Sequence, residues 1–161
     1  MGLTAYGSDI EPRMIEMSKT NLKWLNTQYP ILNTQYTLEA ADARNHSWQP
    51  PIDAVVSETY LGPPQLSAPD RAKLSILSDE NGQLVGTFLK NLRSQIKSGT
   101  RLCLALPAWQ HGPQDVRSTV VDQIEALGYT RPVLRSAGAR NLIYRRPDQI
   151  VGRELLVLRK S

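Results

Sequence analysis

Three acidic residues and one aromatic residue stand where short β-rich runs end, and their types suit the handling of a nucleoside and a base. Asp9 follows Leu3–Ser8, which reads as a strand, and precedes Pro12. Proline suits the first turn of a helix because its missing N–H costs nothing there. An acid at a strand-to-helix junction can accept hydrogen bonds from both hydroxyls of a ribose. The plainer alternative is a helix N-cap. Asp42, in Ala40-Ala41-Asp42-Ala43-Arg44, ends the next strand. Its small neighbours let a flat ring approach the backbone, and its carboxylate can accept from an exocyclic amine; otherwise it is a turn aspartate. Two acids at the ends of consecutive strands lie on the carboxyl edge of one sheet, where such folds bind ligands. A third run, from Asp53 to Ser57, releases Glu58, Tyr60 and Gly62-Pro63-Pro64. Glu58 can take a proton or a hydrogen bond from a substrate amine, and Tyr60 can stack on a base. Alternatively the segment is a proline-stiffened connection with Tyr60 packed inward. His111 is a weaker candidate base. His46 reads as a loop residue, Cys103 as an inert core residue, and Trp109 as a base platform or a loop-packing residue.

The elements that must position these groups alternate between strand and helix, which predicts an α/β fold with a largely parallel sheet. The helix from Pro12 fades near Asn26, with Ile15, Ser18, Leu22 and Leu25 on one face and Met14 and Met17 beside it. Tyr36–Ala40 reads as the next strand. Ile52–Ser57 is a continuous apolar run of the kind found in central buried strands. Tyr60–Pro69 is a loop, and Glu80–Lys97 an amphipathic helix with Leu84, Phe88, Leu92 and Ile96 on its stripe. Arg101–Leu106 is a strand stopped by Pro107, and Gln114–Leu127 a helix ended by Gly128. Short strands follow at Pro132–Arg135, Leu142–Arg145 and Glu154–Leu158, the last two as an antiparallel hairpin closing the sheet edge.

Length and composition narrow the classes. The 161 residues suit one domain spanning 1–161. An apolar share of 40% excludes a disordered chain. No apolar run reaches the roughly 18 residues of a membrane span, and the first ten residues lack the basic flank and apolar core of a secretory signal. A single cysteine excludes a disulfide framework and a cysteine-based zinc site within one chain. The expectation is a cytoplasmic protein. Charge is uneven: residues 1–80 hold 6 Lys/Arg against 10 Asp/Glu, whereas 81–161 hold 13 against 5. A basic C-terminal part invites a polyanion. Arg140, Arg145, Arg146 and Arg153 are the candidates for RNA phosphate contacts. Arg145 and Arg146 can instead pair with Asp148 and Glu154.

Taken in order, Gly7-Ser8-Asp9-Ile10-Glu11-Pro12-Arg13-Met14, Ala41-Asp42-Ala43, and a hydrophobic strand running into Glu58-Thr59-Tyr60-Leu61-Gly62 resemble the Rossmann-fold RNA methylases that use S-adenosylmethionine. The nearest group is the THUMP-linked tRNA guanine-N2 methyltransferases and their bacterial relatives. The resemblance spans most of the chain and is strongest over residues 5–64. It implies that Asp9, assisted by Glu11, holds the cofactor ribose, and that Asp42 takes the adenine amine while Ala43 lends the ring a backbone N–H. It implies further that Glu58 and Tyr60 are the catalytic pair that orients the target base. The expected function is methylation of an exocyclic amine of an RNA base, tRNA guanine N2, with no metal. The rivals are a non-catalytic RNA-binding or complex-forming module and a DNA or protein amine methyltransferase.

The resemblance also implies parts that this sequence does not hold. The family has a strand, a glycine-rich turn and a helix ahead of the matching region, and here Met1-Gly2-Leu3 reads as the end of that helix. No Gly-x-Gly turn occurs at a strand-to-helix junction. The motif at Glu58 has a glutamate in place of the family's Asp or Asn, and its aromatic residue comes one position early. The expectation is an N-terminally truncated, Rossmann-like sheet lacking its first, central strand and glycine-rich loop, with helices on both faces. Such a chain alone would bind the methionine part of the cofactor poorly. Its open slot would favour self-association or a partner chain that supplies the strand.

Overall fold

The computed structural model describes residues 4–29, 35–49, 51–65, 67–135, 137–138 and 142–161. Arg140 and the Met1–Leu3 segment lie outside the described residues. The chain forms two compact units, residues 1–46 and 47–161.

In the first unit, β1 (Thr4–Asp9) leads into α1 (Pro12–Gln28), which returns the chain to β2 (Gln35–Ala40). The strands pair in parallel from Thr4↔Gln35 to Asp9↔Ala40, so both chains leave the sheet at the same edge. Pro12 occupies the first turn as expected, but the N-cap position is Glu11, with no side-chain cap bond. Ile15 is buried, and Ser18, Leu22 and Leu25 are half-buried, so the expected stripe is the packed one. Gly7 in β1 faces a close approach: a Cβ there would sit 2.6 Å from Leu38 Cδ2 on β2.

The second unit is a six-stranded sheet in the order β3-β4-β8-β6, with β5 paired to β4 and β7 to β8. Its elements are β3 (Ala54–Glu58), α2 (Arg71–Arg93), β4 (Arg101–His111), β5 (Gln114–Arg117), a 3-10 turn at Thr119–Gln123, β6 (Tyr129–Thr130), β7 (Ile143–Tyr144) and β8 (Val151–Lys160). β3 and β4 are parallel; β8 runs antiparallel to β4 and to β6. Leu74, Val85, Leu89 and Leu92 of α2 are buried together with Leu102, Leu104, Leu106, Leu156 and Leu158 of the sheet. No helix among the described residues is long and apolar enough to cross a membrane.

Several sequence expectations are corrected here. α2 starts nine residues earlier than read, because Asp70 caps it by accepting from Lys73 N at 2.8 Å. β4 runs through Pro107, which falls between the last residue paired to β3, Ala105, and the first paired to β5, Ala108. At that position a missing N–H breaks no bond on that side. Gln114–Leu127 is not a helix. Gly112, at φ 60°, and Pro113 form a two-residue turn that folds β5 back on β4, His111 opposite Gln114. Pro132–Arg135 forms no strand. β7 and β8 do form a hairpin, but β8 lies inside the sheet, between β4 and β6. The Ile52–Ser57 run makes an edge strand rather than a central one: β3 pairs only with β4 among the described residues, and Val56 is 83% exposed. Cys103 is half-buried on the face shared with Val56, not sealed in the core.

Candidate functional site

In the first unit, the parallel register places Asp9 beside Ala40, two residues before Asp42, so both acids leave the same sheet edge. Asp9 Oδ1 accepts from the backbone N–H of Glu11 at 2.8 Å, which shapes the turn into α1. Its second oxygen is not used in this turn. Ala41 N–H donates to Asp9 O at 2.8 Å, tying the two strand ends together. Glu11 is exposed at the helix start. A carboxylate with one committed oxygen, at the carboxyl end of a parallel strand, suits a pair of hydroxyl donors.

Asp42 is differently placed. Arg44 Nε donates to Oδ1 at 2.9 Å and to Oδ2 at 3.0 Å, its second guanidinium nitrogen to Oδ2 at 2.6 Å, and its backbone N–H to Oδ1 at 2.9 Å. These four bonds use the roughly four acceptor positions of a carboxylate. The Arg44 side-chain bonds, then its backbone bond, hold the Asp42 carboxyl down to about 2. Asp42 can receive an amine only when Arg44 lets go. Arg44 is a site residue that the sequence reading missed, although its place two residues after an aspartate was a signal. Ala43 lies between them in the same turn. His46, read as a plain loop residue, anchors this turn: its Nε2 lies 2.6 Å from Glu39 Oε1 and 3.2 Å from the Tyr6 hydroxyl.

In the second unit, Glu58 is the last residue of β3. Its Oε1 pairs with Arg153 Nε of β8 at 2.5 Å, diagonally across β4, where Glu58 is in register with Ala105 and Arg153 with Pro107. Two residues read for separate roles, base orientation and phosphate contact, are thus joined. Thr59 still follows the sheet, with its N–H donating to Ala105 O at 3.0 Å. The chain then leaves at Tyr60, whose carbonyl accepts from Asn81 Nδ2 of α2 at 2.8 Å. Tyr60 is 60% exposed, so it is presented outward and not packed inward. Gly62, at φ 88°, turns the loop where a side chain would be strained.

The remaining basic candidates divide. Arg145 donates to Ala108 O at 3.0 Å and to Asp115 at 2.5 Å, so its partner is neither Asp148 nor Glu154. Glu154 is instead buried against Arg117, whose Nε donates to it at 2.7 Å, with Arg131 at 3.8 Å. Arg146 is exposed. His111 sits in the β4–β5 hairpin. Trp109 is a core residue of β4, 1% exposed, and not part of a loop.

No family model matches the chain. A curated relative, the tRNA (guanine(10)-N2)-dimethyltransferase of Methanothermobacter thermautotrophicus, is 29% identical over 107 residues, covering 66% of this chain and 27% of that protein. TrmN from Thermus thermophilus matches in structure with a TM-score of 0.54 at 16% identity, over 97% of this chain and 36% of that one. A SAM-dependent methyltransferase from Methanosarcina mazei matches with a TM-score of 0.54 at 14% identity, over 99% of this chain and 82% of that one. The chain spans about a quarter of the curated relative it matches and about a third of TrmN. The fold is the Rossmann-like α/β fold of these methyltransferases.

Proposed function

We propose that this chain is part of an S-adenosylmethionine-dependent methyltransferase acting on an exocyclic amine of an RNA base, with tRNA guanine N2 as the target. The observation that carries the reading is the parallel register of β1 and β2, which sets Asp9 and the Asp42 turn side by side at one carboxyl edge. The fold and the curated relative support it. When bound, the cofactor supplies an electrophilic methyl group. Asp9 would hold its ribose hydroxyls, with Glu11 beside it. Asp42 would take the adenine amine once Arg44 is displaced, and Ala43 would offer its backbone N–H to the ring.

Glu58 has one oxygen committed to Arg153. Its other oxygen accepts from the target amine and turns the nitrogen lone pair toward the incoming carbon, so catalysis comes chiefly from positioning. Tyr60, exposed beside it in sequence, stacks on the base. Arg146 and Arg140 contact RNA phosphates, while Arg145 and Arg153 act through the sheet ion pairs they already make. We also propose that the open edge of β3 takes a further strand, from sequence beyond these 161 residues or from a partner chain.

The reading is tested by calorimetric titration of S-adenosylmethionine into this chain, into its Asp9→Asn variant, and into a longer form carrying the added strand. Binding by the longer form that Asp9→Asn abolishes is expected; binding indifferent to Asp9 overturns the assignment. A second reading, a non-catalytic RNA-binding module, is favoured by the saturation of Asp42 by Arg44. It predicts RNA binding that falls with salt and does not respond to the cofactor.

A further inference from the structure

The first unit has almost no interior of its own. Among its described residues Ile15 is the only buried hydrophobic side chain, and its elements are one helix and two paired strands. A two-stranded sheet is marginal alone, and segments of this size gain stability from a disulfide, a metal or association. The unit has no cysteine, and no group of side chains that could hold a metal ion occurs among the described residues. Of those devices association is left. An unused surface for it lies on α1. Met14, Met17, Asn21 and Trp24 follow one another at spacings of three and four, which sets them in one line along the helix. The line stands about a quarter turn round from the packed stripe of Ile15, Ser18, Leu22 and Leu25. Trp24 is 61% exposed, Met17 48% and Met14 45%; Ile10, just ahead of the helix, is 59% exposed. Trp and Met are residue types that gather at protein interfaces.

The charges of α1 decide what fits this face. Glu16, Lys19 and Lys23 fall on the side of the helix away from the line, and Lys19 is spent on Glu16 at 2.8 Å. Arg13 is the one charged residue of the helix that borders the line. So few cations do not suit a membrane surface or a polyanion, and they raise little like-charge barrier against an identical face. We propose that the Met14–Met17–Asn21–Trp24 face of α1 docks on the same face of a second copy of this chain, about a two-fold axis. A polar Asn within such a line specifies register at some cost in affinity. Half-exposed side chains of this size leave on the order of 500 Å² to bury in each copy, hence on the order of 1,000 Å² for the pair. That is the lower limit of a specific interface and fits a dimer of micromolar affinity. The contact does not depend on the methyltransferase reading, and it belongs to a different unit from the open edge of β3.

The test combines sedimentation velocity of this chain across the micromolar range with the Trp24 indole N–H resonance in ¹⁵N–¹H spectra. That resonance is identified among the three tryptophans by its loss in Trp24→Phe. The chain should associate as its concentration rises, and the Trp24 resonance should move over the same range. Met17→Lys, at an exposed position that leaves Ile15 and the strands untouched, should weaken the association about tenfold. Lys23→Gln, on the far side of the helix, should leave it unchanged. Val56→Lys, on β3, should leave the movement of the Trp24 resonance unchanged. A Trp24 resonance that stays still as the chain is concentrated, or one that moves as much in Met17→Lys as in the wild type, overturns the proposal. So does a longer form that stays monomeric with Trp24 shielded from acrylamide, because the added sequence then takes this face.

Discussion

Glu154 is a charge that the sheet has buried, and its partner Arg117 should hold the second unit together. The carboxylate is 1% exposed on β8; Arg117 reaches it from β5 with two guanidinium nitrogens, and Arg131 stands 3.8 Å away. The Arg117→Met variant keeps the aliphatic stem but strands the carboxylate. Removing one member of a buried pair costs about 3–5 kcal/mol. The Arg117 side chain is 33% exposed and Arg131 remains nearby, so the lower end applies. A loss of about 3 kcal/mol corresponds to a fall of roughly 6–12 °C in Tm for a chain of this length. The double variant Arg117→Met with Glu154→Leu removes the stranded charge as well. Replacing a buried pair by apolar groups is often near neutral, so the double variant should cost less than the single one. Urea unfolding of the wild type, both single variants and the double variant measures this, provided the m-value is constant. If Arg117→Met costs under about 1 kcal/mol, or the two single losses simply add, the pair is not coupled and the reasoning fails.

Other outcomes follow from the same contacts. The Asp42 carboxyl, lowered by Arg44, should titrate near 2 in a ¹³C NMR experiment and return toward 3.8 in Arg44→Ala. Because its folded value lies below its unfolded one, the stabilisation from that turn is complete above 3.8 and disappears as pH falls through about 2. Tyr129 donates its hydroxyl to Leu89 O at 2.8 Å, and burial pushes its phenol up to about 12. Its contribution is therefore complete below 10 and lost as pH rises toward 12, visible as late ionisation by absorbance at 295 nm. Tyr129→Phe, which leaves a carbonyl without its donor, should cost about 1–3 kcal/mol in urea unfolding. Val56→Lys places a charge on the open edge of β3 and should lower self-association in sedimentation velocity; an unchanged distribution would show that this edge is not the contact.

How far the sequence could be read depends on how local each cause is. The order β1-α1-β2-β3-α2-β4 was legible because period and punctuation lie within a few residues of each element. The Gln114–Leu127 segment misled because Val116, Val120, Val121, Ile124 and Leu127 fall at helical spacing, while Gly112-Pro113 just ahead of them closes a hairpin. Near the chemistry the same division holds. Asp9 and Asp42 were placed at one sheet edge from strand ends alone, and Arg44, two residues on, was open to the same reasoning. Arg153 was not. It meets Glu58 from 95 positions away, because β4 pairs with β3 at Ala105 and with β8 at Pro107, which sets the two side chains diagonally across one strand. Arg145 likewise finds Asp115 through the pairing of β5 and β7 with their neighbours, not through any spacing in the chain. Sequence thus located the carboxylates, whereas the sheet register decides which of their oxygens remain open to a ligand. For Glu58 that leaves one oxygen uncommitted, and for Asp42 it leaves none until Arg44 moves. Under the proposed function, Arg44 must therefore release Asp42 before an adenine amine can bind there, while Glu58 keeps one oxygen for the target amine.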